Sequence, residues 1–92
     1  MKYTIKFTNR FKKDLKTAEK QNRNINLLFE VIDKLANGKT LEARYRDHPL
    51  KNQKGNVRDC HIESDWILLY EYYNDILVLL LHRIGSHSEL DL

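Results

Sequence analysis

The sequence has a single cysteine and no long apolar run, and each shortage excludes a class of protein. A single cysteine, Cys60, can form neither an internal disulfide nor a cysteine-based zinc site. No apolar run approaches the roughly 18 residues that a membrane-spanning helix needs. The first residues, MKYTIKFTNRFKKD, lack the apolar segment of a secretory signal. We therefore expect a cytoplasmic protein with a single domain, residues 1–92, and one modest core.

Positive charge is concentrated at the N-terminal end of the chain. Residues 1–24 carry eight basic and two acidic side chains, whereas the remaining 68 residues carry eight basic and eleven acidic ones. Clustered Lys and Arg side chains attract phosphates, so this segment favours a polyanionic partner. The alternative is an ordinary solvated helix face, and charge alone does not separate the two.

Two amphipathic helices are predicted in the first half. Phe11, Leu15 and Ala18 share one face of NRFKKDLKTAEKQ, and Thr8 can cap this helix with its hydroxyl group. The second helix, INLLFEVIDKLANG, has an apolar stripe with helical spacing and ends at a glycine. Its stripe is Leu28, Val31, Ile32 and Leu35, its cap is Asn22 or Asn24, and its terminal glycine is Gly38.

Strand-like segments dominate the second half. Only Asn74 and Asp75 separate its two most apolar segments, which is typical of a two-residue hairpin, and residues 39–55 are polar and indicate a loop. The predicted strands are YTIKFT (3–8), NVRDCHI (56–62), WILLYEYY (66–73) and ILVLLLHR (76–83), the last of them central. The order β-α-α-β-β-β predicts an α+β fold. Its sheet is small, twisted and mostly antiparallel, with the N-terminal αα-hairpin packed on one face.

Strand alternation places polar groups on the uncovered side of this sheet. Cys60 and Ile62 should face the helices, which leaves Asp59 and His61 on the open side. These two are either ordinary exposed residues or part of a site. Cys60 should be inert, because a thiol facing a core lacks an electropositive, exposed setting.

Further histidines favour a site. His48 precedes Pro49. Arg83 ends the last predicted strand, and His87 follows it. Imidazoles exchange protons near neutral pH, and a guanidinium neutralises charge that develops on phosphate. An acid, a base and a cation are what metal-free RNA cleavage by a ribose 2′-hydroxyl requires. His82 should point toward the helices as a packed or hydrogen-bonded core residue.

Two alternative interpretations concern a metal site and stacking on a base. A metal site is disfavoured, because the sequence has no HxxxH or HxH spacing. Trp66 can stack on a base or pack in the core, and packing is the commoner use of a strand Trp.

Three segments together resemble the YafQ-type toxins of the RelE/ParE superfamily: YRDHPL, RDCHIESDWILLYEY and RIGSHSEL. The resemblance covers essentially the whole chain. It implies a RelE-like fold and ribosome-dependent endoribonuclease activity against mRNA, with no metal or other cofactor. The implied partners are a cognate antitoxin, mRNA and the rRNA of the 70S ribosome, with neither a membrane nor direct DNA contact.

The resemblance also assigns roles residue by residue. It implies His87 as general acid, His48 or His61 as general base, Asp65 as a group that orients a histidine, and Arg83 as the stabilising cation. The substrate-binding residues are expected to be Asp59, Trp66, Lys12, Lys13, Lys16, Lys51 and Lys54. Related toxins often place an aromatic residue where this chain has Asp91 and Leu92, so the resemblance implies no base preference.

An alternative function remains open at this point. The same scaffold can serve as a non-catalytic binding module, either a gyrase-poisoning protein of the ParE type or a degenerate toxin that only binds. The ParE branch lacks a histidine set of this kind, which argues against the gyrase alternative.

Overall fold

The computed structural model describes residues 1–51 and 55–92. Predicted contacts of Lys54 therefore lie outside the described residues. Within those ranges no helix is both long and apolar enough to cross a membrane. The elements are β1 (Thr4–Phe7), α1 (Asn9–Lys20), α2 (Ile25–Ala36), a 3₁₀ turn (Ala43–Tyr45), β2 (His48–Pro49), β3 (Arg58–Glu63), β4 (Trp66–Tyr73) and β5 (Val78–Gly85).

Short-range signals set the helix ends. The Thr8 hydroxyl accepts a hydrogen bond from the Phe11 N–H at 3.0 Å, and the Asn24 side chain accepts one from the Leu27 N–H at 3.1 Å. Each side chain satisfies an amide that the first helical turn leaves free. Gly38 follows α2 with φ +73°, a conformation that side chains with a Cβ adopt with strain. Of the two predicted caps for α2, Asn24 is the one used.

The five strands form one mixed sheet in the order β1-β5-β4-β3-β2. β1 runs parallel to β5, and the other neighbours are antiparallel. The predicted α+β class is confirmed, and β5 lies inside the sheet as expected. The short strand β2 was not predicted, because two residues that include a proline carry no strand pattern.

The β4–β5 connection differs from the predicted two-residue hairpin. β4 ends at Tyr73 and β5 begins at Val78, so four residues connect them. Leu77, the last of these, has φ +51° and lets the chain re-enter the sheet. The apolar residues Ile76 and Leu77 suggested strand but remain exposed in the turn.

The core lies between the two helices and one face of the sheet. It is built from the predicted helix stripes and from alternate residues of β3, β4 and β5. Cys60 and Ile62 face this core as predicted, and burial raises the pKa of the Cys60 thiol, which keeps it protonated. Two phenols beside the core are satisfied: the buried Tyr70 donates to Asp47 at 2.6 Å, and the partly buried Tyr72 donates to the Leu35 carbonyl at 2.7 Å. Fully burying a large apolar side chain contributes roughly 1.5–3 kcal/mol, so this face supplies most of the stability.

A bulge in the β4–β5 ladder overturns the prediction for His82. Leu69 pairs with Arg83 and Tyr70 pairs with Leu81, which leaves His82 unmatched. Strict alternation therefore fails after Leu81, because a bulge shifts the residues beyond it. The His82 ring does not enter the core; it is partly exposed and its Nε2 lies 3.1 Å from Glu71 Oε1.

Candidate active site

The open face of the sheet carries two adjacent cross-strand rows. Asp59, Leu69 and Arg83 are in register across β3, β4 and β5, and the next row contains His61, Ile67 and Gly85. The alternate residues of these strands belong to the core, so Asp59 and His61 lie on the face away from the helices, whereas the Arg83 side chain reaches Asp14 of α1.

Gly85 lets the C-terminal segment close over the end of β5. A Cβ built at Gly85 would lie 3.2 Å from Glu89 Cβ and 3.2 Å from Leu90 Cδ2. The segment folds into a turn in which the Leu90 N–H donates to the Ser86 carbonyl at 3.0 Å. This close approach brings His87 back over the sheet beside His61.

Three imidazoles from remote parts of the chain meet on this face. The ring centroids of His48 and His61 are 6.3 Å apart, and those of His61 and His87 are 5.4 Å apart. We call His48, His61 and His87 the histidine row. His48 and His87 are about half exposed, whereas the central His61 has 14% of its side chain exposed. The row is therefore open to solvent at both ends, with its middle ring more enclosed.

Asp59 lies beneath the row, close to the rings of His48 and His61. Its Oδ1 is 3.4 Å from His61 Nε2, and its Oδ2 is 3.8 Å from His48 Nε2. The residue is 4% exposed, and within the described residues Oδ1 has no partner in hydrogen-bonding geometry. Burial raises the pKa of Asp59, while the nearby histidines oppose that rise. Asp59 was expected to contact substrate; the structure instead shows it buried beneath the rings of His48 and His61.

Asp65 holds the ring at the other end of the row. Its Oδ1 accepts the His87 backbone N–H at 2.9 Å and lies 2.6 Å from His87 Nδ1. The bond from the backbone N–H, followed by that from the ring, lowers the pKa of the Asp65 carboxyl. Because a carboxylate only accepts, Nδ1 carries the proton and Nε2 is left to exchange one with a ligand. His48 is held in the same way, with Nδ1 facing the Arg46 carbonyl.

Arg83 lies two strands from Asp59 in the sheet, and its side chain is bound to Asp14 of α1. Register places it two strands from Asp59, about 10 Å away at roughly 4.8 Å per strand. Its Nε and Nη2 donate to the Asp14 carboxylate at 2.7 and 3.0 Å, and Asp14 also accepts the Ile84 N–H at 3.2 Å. Of its nitrogens, only Nη1 lacks a partner within the parts of the chain that the structure describes.

The structure contradicts the predicted stacking role of Trp66. Its side chain is 1% exposed and packs in the core, so no base can lie against its ring. The guanidinium of Arg23 instead stands 5.8 Å from the ring centroid. Packing, the alternative drawn from the sequence, is the correct one.

The predicted basic contacts are spread over the surface. Lys12, Lys13 and Lys16 are exposed on α1, and Lys51 is exposed after β2. Lys12 Nζ lies 5.3 Å from the Phe7 ring, on the β1 edge of the sheet. The histidine row begins near β2 at the opposite edge, so any RNA contact by Lys12 is remote from it.

One cation near the row was missed from the sequence. Arg46 lines a cavity together with His61, and its backbone has φ +48°. Nothing in the local pattern marks it, because its position depends on where β2 leaves the sheet.

Comparison with known proteins agrees with this fold over nearly the whole chain. A family model described as the bacterial toxin of type II toxin–antitoxin systems, YafQ, matches residues 3–92. The mRNA interferase toxin YafQ of Escherichia coli strain B / BL21-DE3 is 37% identical over 87 residues, which cover 94% of this chain and 92% of that protein.

Solved structures give the same result. A metal-bound toxin from Helicobacter pylori matches with a TM-score of 0.92 and 40% identity, covering 96% of this chain and 98% of that one. A chain of the E. coli DinJ–YafQ complex matches with a TM-score of 0.86 and 38% identity, covering 96% and 97%. The fold and the matches define a toxin of a type II toxin–antitoxin system. The chain belongs to the YafQ family.

Proposed function

We propose that this protein is an endoribonuclease that cleaves mRNA on the ribosome. The observation that carries the proposal is the histidine row, anchored by Asp59 beneath it and by Asp65 at one end. The E. coli relatives are named mRNA interferase toxins, which is consistent with this chemistry. The site supplies proton donors and acceptors from its own side chains, and the proposed reaction uses no cofactor.

The proposed reaction is attack by a ribose 2′-hydroxyl on the adjacent phosphorus. His48 or His61, as general base, takes the 2′-hydroxyl proton while the O2′–P bond forms. His87, as general acid, gives its Nε2 proton to the 5′-oxygen while the P–O5′ bond breaks. The products are a 2′,3′-cyclic phosphate and a 5′-hydroxyl end. Each proton transfer by a positioned group contributes about 10²–10⁴-fold to the rate.

Carboxylates and a guanidinium support this step. Asp65 fixes the tautomer of His87, and the buried carboxylate of Asp59 lies beside both imidazoles that are proposed as base. Arg83 is the proposed stabilising cation: Asp14 holds its Nε and Nη2, which leaves Nη1 for a phosphoryl oxygen. Removing one such donor from an enzyme typically lowers the rate by about 10²–10³-fold.

The proposed partners follow from charge and family. The lysines of α1, Lys12, Lys13 and Lys16, would contact the phosphates of ribosomal RNA, and Lys51 would contact mRNA closer to the row. A cognate antitoxin would neutralise the protein, as the DinJ–YafQ complex of E. coli suggests. These partners place its action in the cytoplasm, without a membrane and without direct DNA binding.

Expression in a bacterium tests the proposal. Induction should arrest growth and cut transcripts within translated regions, and co-expressed antitoxin should reverse both effects. His61→Ala and His87→Ala should each relieve toxicity while the circular dichroism spectrum stays unchanged. Intact transcripts with folded wild-type protein present would refute the proposal, and DNA-damage signalling in their place would identify a gyrase poison.

A further inference from the structure

The chain after β5 closes on itself through two reciprocal hydrogen bonds. The Ser86 hydroxyl accepts the Glu89 backbone N–H at 3.1 Å, and Glu89 Oε1 accepts the Ser86 backbone N–H at 2.8 Å. This S-x-x-E arrangement is a capping box, in which two side chains satisfy two free backbone amides at once. The capping box fixes the conformation of the turn that contains His87.

The position of the His87 ring depends on this turn. Asp65 Oδ1 accepts the backbone N–H of His87 and also binds its ring Nδ1, so both groups must point to the same side. The side chains of His87 and Asp65 are 46% and 61% exposed, and water competes for a hydrogen bond at that exposure. A contact this exposed holds the ring weakly, so the conformation of the turn has to bring His87 to Asp65.

Glu89 also anchors the turn to the helical hairpin. Its second oxygen, Oε2, accepts a hydrogen bond from Gln21 Nε2 at 3.4 Å, at the C-terminal end of α1. Gly85 leaves room for this carboxylate, because a Cβ at that position would lie 3.3 Å from Glu89 Oε1. The hydrogen bond from the Ser86 N–H, the largest influence on Glu89, lowers the pKa of its carboxyl. Glu89 is therefore ionised at neutral pH, with one oxygen bound within the turn and the other on α1.

We propose that Glu89 is a positioning residue, which holds the general acid His87 in place by closing the turn that carries it. Within the parts of the chain that the structure describes, the Glu89 carboxylate bonds to Ser86 and Gln21 and to none of the rings of the histidine row. Glu89 acts on the backbone, and the backbone brings His87 to Asp65. The inference rests on the proposed function, because it takes His87 as the proton donor to the 5′-oxygen.

Imidazole NMR of the full-length chain tests the positioning without any RNA. The ¹⁵N signals of the histidine rings are recorded at alkaline pH, where imidazoles are neutral and the two tautomers are distinguishable. In the wild type we expect the His87 proton on Nδ1, as its bond to Asp65 requires. Glu89→Ala should give a mixture of tautomers, whereas Glu89→Gln should keep the wild-type signal, because an amide oxygen can also accept the Ser86 N–H. An unchanged His87 signal in Glu89→Ala would overturn the proposal.

Cleavage kinetics supply the second readout. Glu89→Ala should lower kcat by about 10- to 100-fold, since misplacing a catalytic group by roughly 1 Å has an effect of that order. KM should stay unchanged, because Glu89 acts on the turn rather than on the RNA. Glu89→Gln should recover most of the lost rate, and Glu30→Ala, exposed on α2, is the matched control and should cleave like the wild type. Equal losses in the two Glu89 variants, or a raised KM with an unchanged kcat, would overturn the proposal.

The two readouts separate this inference from the proposed function. If wild-type protein cuts no mRNA, the proposed function fails, and the tautomer of His87 alone decides whether Glu89 positions the ring. If wild-type protein cuts mRNA and Glu89→Ala cuts it equally fast, the positioning role is refuted while the nuclease proposal stands. A lower kcat together with mixed His87 tautomers in Glu89→Ala would support the positioning role, and a lower kcat with an unchanged tautomer would contradict it.

Discussion

The two ends of the open sheet face carry similar residues, but they differ in whether each residue has its own carboxylate partner or shares one. Toward β5, His82 is paired with Glu71, and Arg83 is paired with Asp14, so each basic side chain has its own carboxylate. Toward β3, the buried carboxylate of Asp59 lies next to both His48 and His61. The first arrangement gives each basic side chain a separate carboxylate, whereas in the second two imidazoles share one buried carboxylate without a hydrogen bond to it. Under the proposed mechanism, the partners of a histidine on this face, rather than its residue type, decide whether it takes part in catalysis.

Histidine substitutions at the two ends of this face should have the largest effects on cleavage, and they test the difference between the ends most directly. His87→Ala and His61→Ala should each slow mRNA cleavage by about 10²–10⁴-fold, because each removes a proton-transfer group. His82→Ala is the matched control, since it removes an imidazole from the same face but outside the row, and its cleavage rate should stay near that of the wild type. Single-turnover cleavage on programmed ribosomes measures all three. A His82→Ala defect as large as that of His87→Ala would refute the distinction.

Asp59→Asn should test the shared carboxylate. Cleavage should fall by about 10²-fold, the effect of misplacing catalytic groups by roughly 1 Å. Asp75→Asn, in the exposed β4–β5 turn, is the control and should leave the rate unchanged. An unaltered rate in Asp59→Asn would show that the row needs no carboxylate beneath it.

The same variant should change the pH dependence of stability. Because burial raises the pKa of Asp59, the folded state binds more protons than the unfolded state between the ordinary and the raised pKa. The free energy of unfolding contributed by this group therefore falls as pH rises through that window. Asn carries no such charge, so the stability of Asp59→Asn relative to wild type should increase as pH rises through that window. Urea denaturation at several pH values measures this difference, and a difference that decreases would contradict the buried carboxylate.

Asp14→Asn should give a smaller change in activity and a larger one in stability. The carboxylate and the guanidinium of its partner Arg83 are both mostly buried, so weakening their paired hydrogen bonds should lower the free energy of unfolding by about 1–3 kcal/mol. Cleavage should fall less than in His87→Ala, because the row itself is intact. Asp33→Asn, exposed on α2, is the control for thermal melting. Unchanged stability with a loss of cleavage equal to that of His87→Ala would contradict the structural part of this assignment.

Local signals predicted most of the fold because they act within one turn or one strand. Thr8, Asn24 and Gly38 mark helix ends through backbone groups a few residues away, and the alternation in β3 correctly assigned Cys60 and Ile62 to the core. The sequence carried no comparable signal for β2, which exists only through its pairing with Arg58 and Asp59. Short strands are stabilised by their neighbours, and their neighbours are remote in sequence.

The site was predictable only in part. The alternation of β3 indicated that His61 is on the open face, but the meeting of His48 and His87 with it came from family resemblance. The bulge at His82 broke the alternation on which its predicted position depended. Trp66 and Asp59 were expected to contact substrate, and the whole fold instead buries the Trp66 ring in the core and Asp59 beneath the row. Arg46 was missed because its place in the cavity is set by a left-handed turn that the sequence does not mark.

The most direct test of the histidine row is the chemistry of the cleaved ends. Wild-type protein and His87→Ala are incubated in single turnover with ribosomes carrying a defined mRNA, and the new 3′ ends are analysed by mass spectrometry. The account predicts a 2′,3′-cyclic phosphate with wild-type protein and almost none with His87→Ala at the same time points. A 3′-hydroxyl end, or an undiminished yield from His87→Ala, would contradict acid–base catalysis by these imidazoles.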